Sequence, residues 1–535
     1  MRPPPATGPH RLLVLVALLV GLLVRLAVAW QPLPLLIAKV LPDAAFHYLT
    51  IARHLVGGLG PTFDTLAPTN GFHPLWMGVV AGVTSTLGPE SPWTLHGVLT
   101  AGVLLDCLTA LVVYRLLLGA FANRTAALVG MVAYWWNPMS VAVSVNGLET
   151  AASLLALATV VWLLVHRAAG GGWLLGVAAG LAVLARLDNL GVVAAVLVVI
   201  IAAERGLGRF SAPAKTALAA SLLVAPWVAW NAVTFGPSAT SSAWAAPAVL
   251  HQNFAAVAGP GLGPWVAVGL SLLGQTLMYD LPRATGLSYL AAVALVAVGI
   301  GAWFIKPVDP KRSGRVALIL GPLAVGMVAS LVVHGAVRWT VRPWHLAPGV
   351  LLTALTLGCG AALLADHPWG RATVRSLAVA VAVVYLGVGL RSWQEGFYPW
   401  QASYLDAARW VAHNSPPEAR LAGFTVGIVT YVSGRPAINL DGSVNNELLP
   451  WIKRRSLWSY CQRYGVRYLV VSEEVFRTVY RRAWGLEPTE MPIAEVARFD
   501  QPGLGSSDLP VTLYKVHSPR SAGVMSGAVE RAPQP

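Results

Sequence analysis

The sequence predicts an all-α polytopic membrane protein with about eleven transmembrane helices, additional interfacial helices, and a small C-terminal extracytoplasmic α/β domain. Of the 535 residues, 56% are hydrophobic and only 11% are charged, and the mean hydropathy of +0.63 exceeds that of ordinary soluble domains. The net charge is +14, and its excess falls before residue 393, where 22 Lys and Arg face 10 Asp and Glu. These basic residues lie in short loops, a pattern typical of membrane topology and not of a polyanion-binding surface.

The first apolar segment, residues 12–30, has an AVA sequence that looks like a signal cleavage site. Because many apolar segments follow it, it is interpreted as an uncleaved first span. The candidate spans are 12–30, 94–114, 125–145, 149–166, 172–186, 189–204, 214–235, 286–305, 315–334, 345–365 and 374–391. Their lengths suit a hydrocarbon core of ~30 Å, although 172–186 and 189–204 are short.

The segment 74–88 either spans the membrane or lies along its interface, and loop charges favour the second. If it does not cross, the loops predicted to be cytoplasmic contain Arg115, Arg124, Arg167, Arg205, Arg209, Lys215, Lys306, Lys311, Arg312, Arg315, Arg371 and Arg375. If it crosses, all of these loops move outside, against the positive-inside rule. The sequence therefore predicts eleven spans, a cytoplasmic N-terminus and an external segment from residue 392 onward.

Four regions follow from this topology. They are a membrane domain at 1–392, its first external loop with interfacial helices at 31–93, an external α/β domain at 393–516, and a disordered tail at 517–535. Within the external domain, helical spacing predicts a helix over 404–414. Short apolar runs predict strands over 420–430, 436–440, 466–471 and 510–516.

Polar residues are concentrated in the first external loop, which contains Asp43, His47, Asn70 and His73. Apolar residues at helical spacing after Asp43 predict an amphipathic helix on the membrane surface. The acidic side chain either caps this helix or has a functional role. His47 and His73 do not have the spacing of metal ligands, and the three cysteines of the chain are far apart, so no protein metal site is predicted.

Three further groups of polar residues are predicted at the external surface. Glu149 begins a span in "NGLETA", and Arg186 and Asp188 occupy the turn "RLD" between two short spans. Ionisable groups at such depths are costly, so they are functional, or they form a cap and an ion pair. The stretch 334–348, "HGAVRWTVRPWHLAP", combines arginines with tryptophans, which fits either an aromatic belt or a site for a lipid phosphate. Its candidate binding residues are Arg338, Arg342, Trp344 and His345.

These motifs together resemble the GT-C superfamily of membrane-embedded glycosyltransferases. The resemblance rests on "PDAAFHYLTIARHL", "GLGPTFD", "PTNGFHPLW", "NGLETA", "ARLDN" and "RPWHLAP". Relatives include the protein O-mannosyltransferases, the lipid A aminoarabinose transferases and the mycobacterial arabinofuranosyltransferases. The segment "WVAHNSPPEARLAGFTVGIVTYVSGRPAINLDGSVNN" is similar to the external part of uncharacterised bacterial members. The resemblance covers residues 40–450, and it is strongest over 41–78.

The resemblance implies roles for individual residues. Asp43 corresponds to the catalytic base of the first external loop, while Ala44 stands where many members have a second acidic residue. Glu149 matches the place of a second external carboxylate. The cluster of Arg342, Trp344 and His345 matches the site that holds the lipid-phosphate donor. The other candidate substrate-binding residues are His47, Asn70, His73, Arg186, Asp188 and Arg338.

The implied activity is that of an inverting glycosyltransferase of a bacterial cell membrane. It moves a sugar from a polyprenyl-phosphate donor to a hydroxyl of a glycan, lipid or protein acceptor on the extracytoplasmic face. The cofactor stays open, because the missing acidic pair leaves a divalent cation such as Mg, Mn or Ca undecided. Two alternatives are a lipid or sugar transporter, and a receptor or assembly factor whose external tail binds a partner. A transporter would need polar groups at mid-membrane, where Arg25 and Asp106 are the obvious charges.

Overall fold

A computed structural model describes residues 8–166, 172–203, 210–236, 240–245, 247–249, 310–337, 342–365, 370–500 and 510–517. The predicted span at 286–305, the site candidate Arg338 and residues 518–535 of the predicted tail lie outside the described residues.

The membrane region is a bundle of helices joined by short connections. Its helices are α1 (Gly8–Ala29), α2 (Leu33–Lys39), α3 (Asp43–Val56), α4 (Pro74–Leu87), α5 (Thr94–Phe121), α6 (Arg124–Trp135), α7 (Pro138–Ser144), α8 (Thr150–His166), α9 (Trp173–Ala185), α10 (Leu190–Ala203), α11 (Ser211–Phe235), α12 (Pro310–Val337), α13 (Ala347–Leu364) and α14 (Gly370–Glu395). Short 3₁₀ turns, Leu187–Asn189 and Pro343–Leu346, precede α10 and α13.

Six described helices are long and apolar enough to cross a membrane: α1, α5, α11, α12, α13 and α14. A seventh candidate span is the pair α6 and α7, which is bent by 57°. The bend occurs where Asn137 caps α7 by accepting from the amide of Met139, and Pro138 supplies a first residue without an N–H. The prediction of a multi-span helical protein is confirmed, whereas the number eleven is not.

Helix α3 confirms the helix predicted after Asp43, but its surroundings differ from the prediction. The first ten residues of α3 are almost all buried. Instead of lying exposed on a membrane surface, α3 packs against α4 on one side and against the C-terminal domain on another. The C-terminal domain therefore covers the first external loop directly.

The C-terminal domain is a small mixed sheet with helices around it. Its helices are α15 (Gln401–Asn414), α16 (Gly427–Ser433), α17 (Leu448–Lys453) and α18 (Leu457–Arg463), followed by a π turn, Val475–Val479, and 3₁₀ turns, Arg481–Ala483 and Pro488–Glu490. Its strands are β1 (Leu421–Gly423), β2 (Ala437–Asn439), β3 (Tyr468–Ser472), β4 (Ile493–Phe499) and β5 (Val511–Val516). The strand order is β2-β1-β3-β5-β4, with β1 parallel to β2 and β3, and β5 antiparallel to β3 and β4.

Most predicted elements of this domain are confirmed, namely the helix at 404–414 and the strands at 436–440, 466–471 and 510–516. The strand predicted over 420–430 is wrong in its second half, where the chain turns into helix α16. Strand β4 was not predicted. It is an edge strand whose residues are half-buried or exposed, so it lacks a continuous apolar run.

Among the described residues, Arg25 and Asp106 form an ion pair in the core of the membrane bundle. Arg25 Nε donates to Asp106 Oδ2 at 2.9 Å, and both side chains are fully buried. Arg25 also donates to the carbonyl of Trp135 at 2.7 Å, and its guanidinium lies 3.5 Å from the centre of the Trp135 ring system. Asp106 accepts further hydrogen bonds from Tyr134 and Ser140. Both charges are therefore satisfied inside the bundle.

We expect Asp106→Ala to destabilise the protein by about 3–5 kcal/mol, because it leaves the Arg25 guanidinium buried without its carboxylate. Thermal unfolding in detergent measures the effect. The matched control is Glu395→Ala, which breaks the exposed pair with Arg391 and should leave the unfolding temperature nearly unchanged. Similar losses in both variants would show that the buried pair has no special role in stability.

Candidate active site

A buried ionic cluster lies where α8, α9 and α10 meet the first external loop. It consists of Tyr48, His73, Glu149, Arg186 and Asp188. Arg186 binds Asp188 through both Nε, at 2.9 Å, and Nη2, at 2.8 Å, and its Nη1 donates to Glu149 Oε1 at 2.5 Å. One guanidinium therefore joins two carboxylates in a geometry that Arg, but not Lys, provides.

The turn between α9 and α10 positions this guanidinium. Helix α9 ends at Ala185, and Arg186 has extended backbone with φ −157° and ψ 131°, which directs the chain into the short turn Leu187–Asn189. Asn189 fixes the turn, because its Nδ2 donates to Ser153 Oγ on α8 and to the carbonyl of Ala182, each at 2.8 Å. Glu149 immediately precedes α8, so the two helices carry the partners toward each other.

Tyr48 connects the cluster to helix α3. Its hydroxyl donates to Glu149 Oε2 at 2.9 Å and accepts from the backbone N–H of His73 at 3.0 Å. Burial and the nearby Glu149 carboxylate raise the pKa of Tyr48 well above its ordinary value. Burial alone would lower the pKa of Arg186, but Asp188 and Glu149 raise it above its ordinary value. Arg186 thus stays charged and Tyr48 stays neutral.

His73 completes the cluster and stays neutral near pH 7. Its Nε2 lies 3.8 Å from Glu149 Oε1, and its buried Nδ1 has no hydrogen-bond partner among the described residues. Burial, the largest influence, lowers the pKa of His73. With two carboxylates and one guanidinium, the cluster has a formal charge of minus one.

The predicted lipid-phosphate residues lie beside this cluster on the 3₁₀ turn Pro343–Leu346. The backbone N–H of Arg342 donates to His345 Nδ1 at 3.1 Å, which leaves the proton of a neutral ring on Nε2. His345 lines a small cavity together with Asp188 and His334. Trp344 contacts the His345 ring edge-on, with 5.8 Å between ring centres. The structure therefore brings Asp188 and His345 together, with the exposed Arg342 next to them.

Asp43 is held by the C-terminal domain and not by the ionic cluster. Its Oδ2 accepts from the backbone N–H of Gly427 at 3.0 Å, and its Oδ1 accepts from that of Ile428 at 2.7 Å. We call this contact the Asp43 clasp. A Cβ on Gly427 would lie 2.4 Å from the carbonyl oxygen of Asp43, so the close approach requires glycine. Asp43 is the first residue of α3, yet it binds the start of α16 and does not cap its own helix.

His47 and Gln401 flank the Asp43 clasp. His47 Nε2 lies 3.4 Å from Asp43 Oδ2, but its orientation gives no well-formed hydrogen bond. Gln401 Oε1 accepts from the backbone N–H of Asp43 at 2.8 Å, and its Nε2 donates to the carbonyls of Ile37 and Leu41. Gln401 therefore links α15 of the C-terminal domain to the first residue of α3 and to the residues before it.

Asp43 and Tyr48 are five residues apart, so they point in directions about 140° apart around α3. The Asp43 clasp and the ionic cluster consequently occupy two sides of one buried helix. The two predicted catalytic carboxylates, Asp43 and Glu149, lie in the same region of the protein but have separate partners.

Asn70 belongs to a third set of contacts, which we call the amide network. Its Nδ2 donates to Asn231 Oδ1 on α11 at 2.8 Å, and its Oδ1 accepts from Asn446 Nδ2 at 2.8 Å and from the backbone N–H of Ser241 at 2.9 Å. Since Asn446 belongs to the C-terminal domain, this network joins the first loop, the membrane region and that domain at one point.

Sequence reasoning missed Tyr48, Asn231, Gln401 and Gly427. Tyr48 was assigned to the apolar pattern of α3, although its hydroxyl needs a partner when it is buried. Asn231 had a usable signal, since it is an amide near the end of an otherwise apolar span. Gln401 and Gly427 gave none, because both act through partners more than 350 positions away.

An apolar cavity of about 760 Å³ lies between α1, α6, α7, α13 and α14. Its lining is almost wholly aliphatic and aromatic, and Lys39, Trp393 and Phe397 line the end nearest the first external loop. Lys39 Nζ donates to the carbonyl of Gln394 there at 2.6 Å. The cavity can accommodate a hydrocarbon chain with a polar group near Lys39.

Among the described residues, no group of three or more His, Cys, Asp or Glu side chains is arranged to hold a metal ion.

The fold and the site define a polytopic membrane protein with buried carboxylates, one of which, Asp43, is bound by the C-terminal domain. A family model for a domain of unknown function, DUF8728, matches residues 393–514. No curated protein matches the sequence.

Solved structures resemble nearly the whole chain. ArnT from Cupriavidus metallidurans bound to undecaprenyl phosphate is 16% identical, with 96% of this chain and 99% of that chain covered and a TM-score of 0.59. The Archaeoglobus fulgidus oligosaccharyltransferase in complex with Zn and sulfate is 14% identical, with 87% and 69% covered and a TM-score of 0.55. The same organism's AglB with an inhibitory peptide and a dolichol-phosphate is 14% identical, with 89% and 71% covered and a TM-score of 0.51. The chain therefore has the fold of these solved structures, which fits the resemblance of its motifs.

We expect the protein to lose stability as the pH falls below about 6.5, the ordinary pKa of histidine, and His73 to contribute to this loss. Because burial lowers the pKa of His73, the unfolded chain binds a proton at this residue below about pH 6.5, where the folded chain does not yet bind one. Unfolding temperatures measured between pH 5 and 8 should fall less steeply in His73→Gln than in the wild type. The exposed His413→Gln is the control, and equal slopes in all three proteins would refute the assignment.

Proposed function

We propose that the protein is an inverting glycosyltransferase that moves a sugar from a polyprenyl-phosphate donor to a hydroxyl of a glycan, lipid or protein acceptor. The GT-C fold supports this at the level of a glycosyltransferase that uses a lipid-phosphate sugar. Neighbouring structures contain undecaprenyl phosphate or a dolichol-phosphate. The observation that carries the proposal is the burial of Asp43 and Glu149 on two sides of α3, with Asp43 bound by the C-terminal domain.

Asp43 acts as the general base in this proposal. The two amides of the Asp43 clasp use two of the roughly four acceptor positions of the carboxylate, so acceptor positions stay free. Asp43 takes the proton of the acceptor hydroxyl while that oxygen forms a bond to the anomeric carbon. The bond from the anomeric carbon to the phosphate oxygen breaks, and its electron pair leaves with the phosphate. General-base assistance of this kind contributes ~10²- to 10⁴-fold in rate.

Arg186 binds carboxylates through Nε and one N–H of each terminal nitrogen, so its charge is already balanced by Asp188 and Glu149. We assign it, with Asp188, the positioning of Glu149. The negative charge that develops on the leaving phosphate is offset instead by the exposed Arg342 and by His345, whose Nε2–H donates. Arg338, which lies outside the described residues, is a further candidate for this role.

The apolar cavity is proposed to hold the prenyl chain of the donor. Its lining is almost wholly aliphatic and aromatic, which suits a hydrocarbon chain. Lys39 lies at the end where the phosphate would emerge. His73 and Glu149 orient the donor or the acceptor from the other side of α3, and His47 keeps the environment of Asp43 polar. Asn70 anchors the loop that contains His73.

The location follows from the loop charges and the fold. A multi-pass membrane protein is supported by the apolar helices. We propose a bacterial plasma membrane, with the N-terminus in the cytoplasm and the C-terminal domain outside, where the acceptor would be met. The boundary between the membrane domain at 1–392 and the external domain at 393–516 stays a prediction.

We expect Asp43→Asn to lower transfer of lipid-linked sugar at least ~10²-fold in a membrane assay, because an amide cannot accept the proton. Membrane insertion and the unfolding temperature should change far less, since Asn keeps one oxygen for the Asp43 clasp. The matched control is Gln401→Ala, which loosens the same domain contact without altering the carboxylate. The base assignment fails if Asp43→Asn stays active, or if both variants lose transfer equally.

We also expect the orientation to appear in cysteine labelling of a cysteine-free background. Single cysteines at the exposed positions Glu90 and Glu418 should react with an impermeant reagent in intact cells. A cysteine at the exposed Lys311, at the start of α12, should react only after permeabilisation. The reverse pattern would place the active site in the cytoplasm.

A further inference from the structure

Four residues near the outer end of α11 form what we call the aromatic–amide patch: Phe72, Trp227, Trp230 and Asn231. The Trp227 and Trp230 ring centres are 5.0 Å apart, and Phe72 lies 5.3 Å from Trp227 and 6.4 Å from Trp230. Trp227, Trp230 and Asn231 follow at i, i+3 and i+4, so they share one face of α11. The patch is therefore a group of three aromatic rings with one buried amide beside them.

The patch contains two buried hydrogen-bond donors that have no partner among the described residues. They are Trp227 Nε1 and Asn231 Nδ2. Buried Trp N–H and Asn N–H groups normally have a hydrogen-bond partner, because a buried donor without one destabilises the folded protein. The two residues lie four positions apart, which is ~6 Å along the helix. Two such donors on one face of α11 fit a ligand that supplies hydrogen-bond acceptors.

The orientation of the Asn231 amide is fixed by its neighbours. The backbone N–H of Ser241 can only donate, so the atom of Asn70 that it contacts must be the carbonyl oxygen. Asn70 Nδ2 is then the donor to Asn231, which makes the contacted atom of Asn231 its oxygen. The unpartnered atom is consequently the Asn231 N–H₂ group, and flipping the amide would break the amide network.

A sugar ring matches both properties of the patch. The C–H bonds of one ring face pack against aromatic rings, while neighbouring hydroxyl oxygens accept hydrogen bonds from fixed donors. A hydrocarbon chain would leave both donors orphaned. An aromatic belt at a membrane interface keeps its N–H groups in contact with water or headgroups, whereas the Trp227 and Asn231 donor atoms are buried.

The patch adjoins the ionic cluster, because Phe72 directly precedes His73, whose ring lies 3.8 Å from Glu149. The C-terminal domain supports it through Asn446, which binds Asn70. A Cβ at Gly71 would lie 2.1 Å from the carbonyl oxygen of Ser443, so the domain presses directly on this loop. The domain thus helps to set the shape of the patch.

We infer that the aromatic–amide patch is the subsite that receives a sugar ring and selects it by its hydroxyl pattern. This inference rests on the proposed transferase function and names the residues that read the sugar, namely Trp227 and Asn231. The ring belongs to the donor or to the acceptor, and these two sources offer the patch the same chemistry.

The test measures binding of free methyl glycosides to the full-length protein in detergent, by saturation-transfer difference NMR. A set of methyl pyranosides and methyl furanosides is the probe. We expect at least one glycoside to bind. Trp227→Phe should lower the affinity for that glycoside about three- to tenfold, since Phe keeps the aromatic face and loses the N–H. Trp93→Phe is the control, because Trp93 is half-exposed beside the start of α5 and lies outside the patch.

Two additions sharpen the result. Asn231→Asp keeps the oxygen that binds Asn70 and removes the unpartnered donor, so it should lower the affinity for the same glycoside. Competition by the undecaprenyl-phosphate derivative of that sugar, but not by undecaprenyl phosphate alone, assigns the subsite to the donor; competition by neither assigns it to the acceptor.

The inference is overturned if no glycoside binds, or if Trp227→Phe and Trp93→Phe bind as the wild type does. Binding of undecaprenyl phosphate alone is followed in parallel. Its absence would count against the proposed function, whereas its presence without any glycoside binding would count against the patch alone.

Discussion

The contact between the Asp43 carboxylate and the amides of Gly427 and Ile428 is the constraint on which the site depends. It fixes the C-terminal domain to the first turn of α3 and leaves that helix buried on all sides. Once α3 is fixed, Tyr48 faces Glu149, and the loop that contains Asn70 and His73 lies against the start of α8 and the end of α11. A charge-assisted hydrogen bond of this type is worth more than a neutral one, and here it also places a candidate base.

The charged groups on the two sides of α3 have different kinds of partner. On one side Asp43 accepts hydrogen bonds from two neutral amides, which do not balance its formal charge. On the other side Arg186 neutralises only one of its two carboxylates, so the ionic cluster retains a net negative charge. A negatively charged pocket does not by itself attract a phosphate. It needs a cation from outside the cluster, and the exposed Arg342 lies next to His345 beside the cluster.

The sequence revealed those features that depend on residues close together in the chain. The lengths of the apolar segments gave the long helices, the spacing after Asp43 gave α3, and "RLD" gave the Arg186–Asp188 pair. The long-range partners could not be read in the same way. Tyr48 meets Glu149 across 101 positions, and Asp43 meets Ile428 across 385, through a backbone amide that any residue but proline could supply. The division of 420–430 into β1 and α16 escaped prediction for the same reason, since α16 begins where its amides find Asp43.

The buried pair of Arg25 and Asp106 bears on the transporter alternative. Charges that carry a solute or a proton through a membrane must exchange partners during the cycle, and they therefore border water or a second binding position. Arg25 and Asp106 instead bind each other, Ser140, Tyr134 and the Trp135 carbonyl, and both are fully buried. Breaking this arrangement would leave a charge in the hydrocarbon region with no replacement partner close by. The pair thus connects α1 and α5 in one fixed arrangement, which fits a structural role and not the exchange of partners that transport requires.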